Sequence, residues 1–314
     1  MTIRAVAKGL LTFLPGTHRV LPVGRTGGTN SARYCYGVWL KHLTLLWQNN
    51  LRSIPDTLAE LGPGDSLGVG LAAMLSGVNH YYALDVVRYS NPDKNHRVLD
   101  ELIELFGSRS KLLPTGGWPD FYRYLGTDLF PSHILTGDLL QASLARERIQ
   151  HIRNAIKDSG QHTGNITIRY IVPWSDASPI AADMVDVIIS QSVMEHVSNI
   201  DAAYRCLYSW LKPGGMMSHQ IDFKSHGLSK KWNGFRAYSE LLWKIIAGKR
   251  TYLLNRQPVS VHIALMEKNG FDIVYHLKKS REGGIQRRAL SPTWREMPED
   301  DLMCSSTFII AQKH

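Results

Sequence analysis

The hydrophobic pattern changes period along the chain. "YGVWLKHLTLLWQNNL" (Tyr36–Leu51) repeats apolar residues at helical spacing through Trp39, Leu43, Leu46 and Trp47, and predicts a helix. After Pro55, short apolar runs alternate with helical stretches. Strands are predicted at Thr57–Leu61, His80–Val87, Asn165–Val172, Val185–Gln191, Met216–Phe223, Phe271–Leu277 and Cys304–Lys313. Helices are predicted at Leu67–Ser76, Asn95–Gly107, Asp138–Lys157, Ile200–Leu211 and Ser260–Asn269. Val185–Gln191 is β-branched and apolar on both faces, as buried parallel strands are. "KPGG" (Lys212–Gly215) should stop the helix before it, because glycine ends helices and proline cannot continue them. Strands alternating with helices imply an α/β fold: a Rossmann-like, doubly wound sheet of seven strands.

This pattern divides the chain into a helical N-terminal preface at 1–55 and a main domain at 56–314. Residues 89–164 are too many for one crossover, so they are read as a crossover helix with an inserted helical cap. Residues 225–258 form a second elaboration. Both insertions are aromatic and basic: Trp118, Phe121, Tyr122, Arg123 and Tyr124 in one, Trp232, Phe235, Arg236, Tyr238 and Trp243 in the other. Such residues suit a sugar or an amphiphilic acceptor, and they equally suit the insertions' own cores. Arg256, in "NR", is a weaker candidate for an acidic group.

The 314 residues are 44% hydrophobic and 20% charged, ordinary for a globular protein with a substantial core. The net charge of +9 favours anionic partners without choosing among them. No block of like charge marks a nucleic-acid tail, so no nucleic-acid partner is expected. Cys35, Cys206 and Cys304 form no CxxC pair, which points to a reduced, cytoplasmic setting without a thiol–metal site. No apolar run is long enough to span a membrane. "MTIRAVAKGLLTFLPG" reads first as a helix packed on the domain, and second as a basic amphipathic helix in peripheral contact with a membrane.

The candidate chemistry begins at "AELGPGDSLGVG" (Ala59–Gly70), where the first strand ends. Ligands of open α/β sheets bind beyond the carboxyl ends of the strands. Gly62 and Gly64 allow a sharp turn and close backbone approach to a ligand. The spacing, Gly62-Pro63-Gly64-Asp65-Ser66-Leu67-Gly68, is GxGxxxG and departs from the dinucleotide GxGxxG. Pro63 and Asp65 also disfavour a pyrophosphate. Glu60 suits a cationic ligand group, and Asp85, at the end of the second strand, suits ribose hydroxyls. Together they fit an adenosyl amino acid better than a dinucleotide.

"ELGPGDS", "ALDVV", "SPIAADMVDVIISQSVMEHV" and "WLKPGGMMSHQIDF" stand in the order found in class I S-adenosylmethionine-dependent methyltransferases, and the chain most resembles their type 11-like small-molecule group. Pro179 and Asp186 fall at the family's spacing before and within the fourth strand. The resemblance covers about Pro55–Phe223 without the insertion. It implies an otherwise parallel sheet with an antiparallel last strand, ending "IIAQK". It also implies site roles: Glu60, Gly62, Pro63, Gly64 and Ser66 around the methionine part of the cofactor, Asp85 on the ribose, Val86 beside the adenine, and Gln191 beneath the methionine. The acid that often follows the family's third strand is replaced by Trp174, so Trp174 or Asp176 is expected at the adenine.

A hydroxyl or carbon acceptor needs a base, and histidine titrates near neutral pH. The candidates are His196 in "MEHV" and His219, Asp222 and His226 in "SHQIDFKSH". On an extended strand His219 and Asp222 take opposite faces, whereas His226 lies in the following loop. The spacing HxxDxxxH matches no trusted metal signature, so no metal is expected. The expected activity is S-adenosylmethionine-dependent methylation of a small-molecule or glycan-type acceptor, including lipid-linked glycans, on oxygen. The alternatives are a catalytically silent binder of the same cofactor and, less favoured, a nicotinamide-dependent oxidoreductase.

Overall fold

The computed structural model describes residues 3–14, 28–112, 121–158, 165–174, 179–250 and 253–314. Trp118 and Asp176 lie outside them, as do the side chains of Phe121 and Tyr122. The strands are β1 (Thr57–Leu61), β2 (His80–Leu84), β3 (Thr167–Ile171), β4 (Val185–Gln191), β5 (Leu211–Asp222), β6 (Phe271–Ser280) and β7 (Cys304–Lys313), in the sheet order 3-2-1-4-5-7-6. β3, β2, β1 and β4 pair in parallel. β7 runs antiparallel to both its neighbours. Ser305 Oγ bonds Lys279 O while Thr307 Oγ1 bonds Leu277 O, and Phe223 N meets Ser305 O while Gln220 Nε2 meets Thr307 O. The expected α/β sheet with an antiparallel last strand is therefore present.

The chain falls into two compact units. The larger comprises Arg25–Gln191, Cys206–Ser218 and Ile310–His314; the smaller comprises Met1–Gly24, Ser192–Arg205 and His219–Ile309. The N-terminal preface is divided between them. Its helix α2 (Ala32–Gln48) belongs to the larger unit and is buried almost all round; Trp39 and Tyr36 are fully buried, and Trp39 Nε1 donates to Ser76 Oγ at 2.8 Å. α2 begins four residues earlier than the apolar period suggests because Ser31 Oγ accepts from Tyr34 N and caps it. α2 packs on α3 (Gly68–Met74) and α4 (Pro92–Gly107).

Three further boundaries differ from the sequence reading. Asn91 caps α4 with Pro92 at its first position, so the helix starts before Asn95. The long helix expected at Asp138–Lys157 is two, α6 (Gly137–Ser143), capped by Thr136, and α7 (Arg146–Lys157), because Ala145, with ψ 139°, leaves the helical conformation between them. The segment at 89–164 also contains α5 (Phe121–Leu125). α8 (Ile200–Trp210) passes directly into β5, and "KPGG" lies inside that strand. Gly214, with φ +77°, bends the chain there without ending its pairing.

The smaller unit holds α1 (Ile3–Leu11), α9 (Glu240–Ala247), capped by Ser239, α10 (Val259–Lys268) and α11 (Glu299–Met303). Phe235 and Tyr238 of the second elaboration form its core with Ala5, Leu228, Ile246 and Leu254, and Trp243 packs against that core. These aromatic residues are structural, as is buried Trp232, whose Nε1 donates to Glu282 O.

Candidate functional site

In the larger unit, the ends of β1 and β2 build the loop site. Gly62 N donates to Leu84 O at 2.7 Å and Asp85 N to Ile171 O at 3.1 Å, so parallel pairing continues to the carboxyl edge and sets Gly62 beside Asp85. Gly62 and Gly64 have φ of +62° and +74°, conformations that glycine adopts without strain. Gly64 N donates to Asp85 Oδ2 at 3.3 Å and Val86 N to Oδ1 at 2.7 Å. Trp174 N donates to Asp85 O at 3.0 Å, and the Trp174 ring packs edge-on against Trp210 at 6.0 Å. Val86 is exposed.

The other two glycines of the loop meet protein. A Cβ at Gly68 would lie 2.5 Å from Cys35 Sγ, and one at Gly70 would lie 2.0 Å from the Tyr81 ring. They let α3 approach α2 and β2. Pro63 is buried, and Ser66 Oγ accepts from Gly68 N at 3.1 Å. Ser66 Oγ also donates to Thr29 O, and Asn30 Nδ2 donates to Asp65 Oδ2 at 3.1 Å, so residues of the preface hold the loop.

Glu60 is buried, and its carboxylate accepts from Tyr81 OH at 2.5 Å. Burial raises it to about 8, against the opposing effect of that bond and one from Gly70 N–H. Asp85 is also raised, first by burial. Burial holds both carboxyls toward the protonated form, and a cationic ligand group beside them would favour their ionisation. The residues present thus fit a sulfonium-bearing amino acid nucleoside. Gln191, closing β4, accepts from Lys41 Nζ at 2.8 Å. Lys41 is fully buried on α2, its Nζ stands 5.0 Å from the Tyr124 ring centroid, and burial lowers it to about 7. Sequence reasoning missed it. The signal was a lysine inside an otherwise apolar helical run.

In the smaller unit, the turn Met194–His196 and the loop after β5 form a second cluster. His226 Nε2 lies 3.5 Å from Asp222 Oδ2, Lys224 Nζ lies 2.8 Å from the same oxygen, and Lys224 N donates to Oδ1 at 2.8 Å. Burial alone would raise Asp222, but the bonds from His226 and Lys224 outweigh it and hold the carboxyl below its ordinary value. The His196 and His226 rings are 5.2 Å apart. Glu195 is buried beside Asp222 and is raised far above the usual range, first by burial and then by the Asp222 charge. The cluster therefore pairs an ionised carboxylate with a protonated carboxyl. Asn255 Nδ2 braces the turn through Met194 O at 2.8 Å and Val197 O at 2.9 Å. His219 stands apart from this cluster. It is fully buried against Tyr204, and burial, with His262 nearby, lowers it to about 3, so it is neutral. Arg256 pairs with Glu240 of the same chain. Among the described residues no group of three His, Cys, Asp or Glu side chains is arranged to hold a metal ion.

Residues 106–217 match the family model described as a methyltransferase domain. Over this stretch the chain is similar to methyltransferase domains. The matched stretch runs from the end of α4 into β5 and leaves out the glycine loop, so the reading of the loop rests on its own geometry. Among solved structures, the chain is similar to an S-adenosylmethionine-dependent methyltransferase from Mesorhizobium loti at 12% identity, covering 87% of this chain and 98% of that one with a TM-score of 0.43. It is also similar to a SAM-dependent methyltransferase from Methanosarcina mazei at 13% identity, covering 85% and 96% with a TM-score of 0.45. A third similarity is to Haemonchus contortus phosphoethanolamine N-methyltransferase 2 in complex with S-adenosyl-L-methionine, at 14% identity, covering 92% of this chain and 58% of that one, TM-score 0.42. No curated protein sequence matches the chain. No helix among the described residues is long and apolar enough to cross a membrane.

Proposed function

We propose that the enzyme methylates an oxygen of a small-molecule or glycan-type acceptor, with His226 as the base and Asp222 as its positioning partner. The pairing of His226 with Asp222 carries this reading. With Nε2 turned to the carboxylate, Nδ1 is left to take the proton of an acceptor hydroxyl, and ionised Asp222 stabilises the imidazolium that results. Lys224 keeps Asp222 ionised, and Glu195 holds a proton beside it. His196, whose ring neighbours His226, is assigned to acceptor positioning. Buried, neutral His219 is left out of the proton path.

S-adenosylmethionine supplies an electrophilic methyl group when bound, and its sulfur leaves as a neutral thioether. The residues assigned to holding it are Gly62, Pro63, Gly64 and Ser66 of the loop, Glu60 toward the ammonium and sulfonium charge, Asp85 toward the ribose, Val86 and Trp174 toward the adenine, and Gln191 with Lys41 toward the amino acid's carboxylate. Asp176 remains a sequence-based expectation for the adenine. The GxGxxxG spacing and Glu60 argue against the nicotinamide alternative. The Asp222–His226–Lys224 cluster argues against a silent binder.

The test is turnover with a panel of sugars and lipid-linked glycans. His226→Ala is expected to lower kcat by about 10²–10⁴-fold while leaving S-adenosylhomocysteine affinity unchanged. Undiminished turnover in this variant removes His226 as the base. Failure of the wild type to turn over any acceptor, with cofactor binding intact, favours the silent binder.

A further inference from the structure

One face of α1 is consumed by α9. A Cβ at Gly9 would lie 2.0 Å from Ile245 O, and one at Gly248 would lie 2.1 Å from Thr12 Oγ1. Thr12 Oγ1 accepts from Lys249 N at 2.9 Å, and Ala5 enters the core of the smaller unit. The helix is therefore locked to its unit. The large apolar residues at its carboxyl end are exposed: Leu10 by 52%, Leu11 by 42%, Phe13 by 51% and Leu14 by 57%. They are four of the eight large apolar side chains exposed among the described residues, and they are nearly consecutive. A run of this kind marks a surface that meets something apolar.

Charge identifies what it meets. Arg4 and Lys8 on α1 and Lys244 and Lys249 on and after α9 are exposed, and Lys249 Nζ stands 5.8 Å from the Phe13 ring centroid. The acid of α9, Glu240, is paired with Arg256. No Asp or Glu precedes Asp56 in the chain, whereas Arg4 and Lys8 stand on α1 itself. A protein interface mixes both signs at its rim. A carboxylate-free segment with an apolar edge matches an anionic lipid surface, where lysine stems lie along the apolar boundary and their ammonium groups reach phosphates. We propose that the end of α1 docks the protein on a bilayer carrying anionic lipid, with Leu10, Leu11, Phe13 and Leu14 entering the headgroup boundary. This inference stands independently of the methyl acceptor.

The experiment is vesicle co-sedimentation of the full chain, using phosphatidylcholine alone and phosphatidylcholine mixed with phosphatidylglycerol. The wild type is expected to sediment with the mixed vesicles, weakly with the neutral ones, and less when salt is raised from about 0.1 M to about 1 M, because the Debye length falls roughly threefold. Phe13→Asp combined with Leu14→Ser is expected to reduce partitioning at least about tenfold, because two apolar side chains no longer enter the headgroup boundary. Both positions are exposed, so circular dichroism and S-adenosylhomocysteine affinity should match the wild type. Three results overturn the proposal: no wild-type binding to mixed vesicles, equal binding by the double variant, or a concentration-dependent dimer that the double variant abolishes.

Discussion

The side chain of Lys41 donates to Gln191 at 2.8 Å, joining the centre of α2 to the carboxyl end of β4. A fully buried lysine costs stability, and burial lowers it from 10.5 to about 7. A purely structural site would be served better by leucine or methionine. In the proposed reading, the amino acid carboxylate of the cofactor beside Gln191 would add a charged partner to the lysine.

Lys41→Met should therefore stabilise the ligand-free protein and weaken cofactor binding. Its folded pKa is depressed, so the unfolded chain binds the extra proton between about 7 and 10.5. The stability of the wild type then rises relative to the variant across that window, by up to about 1.4 kcal/mol per pH unit. Denaturant melts of both proteins between pH 6 and 10, read with S-adenosylhomocysteine titrations, check the two effects. Parallel pH profiles would mean that Lys41 is not buried as a titrating group.

Gly70→Ala tests the packing role of the loop's last glycine. With a Cβ only 2.0 Å from the Tyr81 ring, α3 must shift. The expected cost is about 1–3 kcal/mol, seen as a lower Tm. Tyr81 also holds Glu60, so the variant's cofactor affinity should fall as well. A wild-type melting curve would show that α3 does not press on β2.

Asp85→Ala removes the acceptor of the Gly64 and Val86 N–H groups and the proposed ribose ligand. A loss of about 1.5–3 kcal/mol per charged hydrogen bond weakens S-adenosylhomocysteine binding by at least tenfold in calorimetry. Unchanged affinity would put the ribose elsewhere.

Glu195 and Asp222 should answer opposite pH changes. Glu195 holds its proton when folded and loses it when unfolded above the ordinary carboxylate value of 4.5, so its burial costs stability as pH rises. Glu195→Gln, which copies the protonated form, should be neutral in acid and stabilising near neutral pH. Asp222 is held below 3.8, so its contribution is present above that value and lost as pH falls further. Asp222→Asn should destabilise at neutral pH, with the difference shrinking in acid. Urea melts from pH 3 to 8 compare the pair. Matching profiles would contradict the split assignment.

Much of this was legible in the chain. The bounds of β1, β4 and β7 follow from apolar runs enclosed by glycine, aspartate and proline, signals that are local. The glycine loop and Asp85 were legible as a pair because parallel strands end at one edge. Helix starts were read late at Ala32 and Pro92 because the caps, Ser31 and Asn91, precede the apolar period. Lys41 stayed hidden because a charged residue in an apolar stripe is silent about its partner, which lies 150 positions away. The roles of Gly68 and Gly70 were equally hidden, since Cys35 and Tyr81 approach them only in the folded chain.

Isothermal titration with S-adenosylhomocysteine, with NADH as control, tests the central claim most directly. Micromolar binding of S-adenosylhomocysteine, with no heat from NADH, is the predicted result for the wild type. A folded protein that ignores S-adenosylhomocysteine, or that binds NADH in its place, would contradict the assignment of the Glu60–Asp85 site.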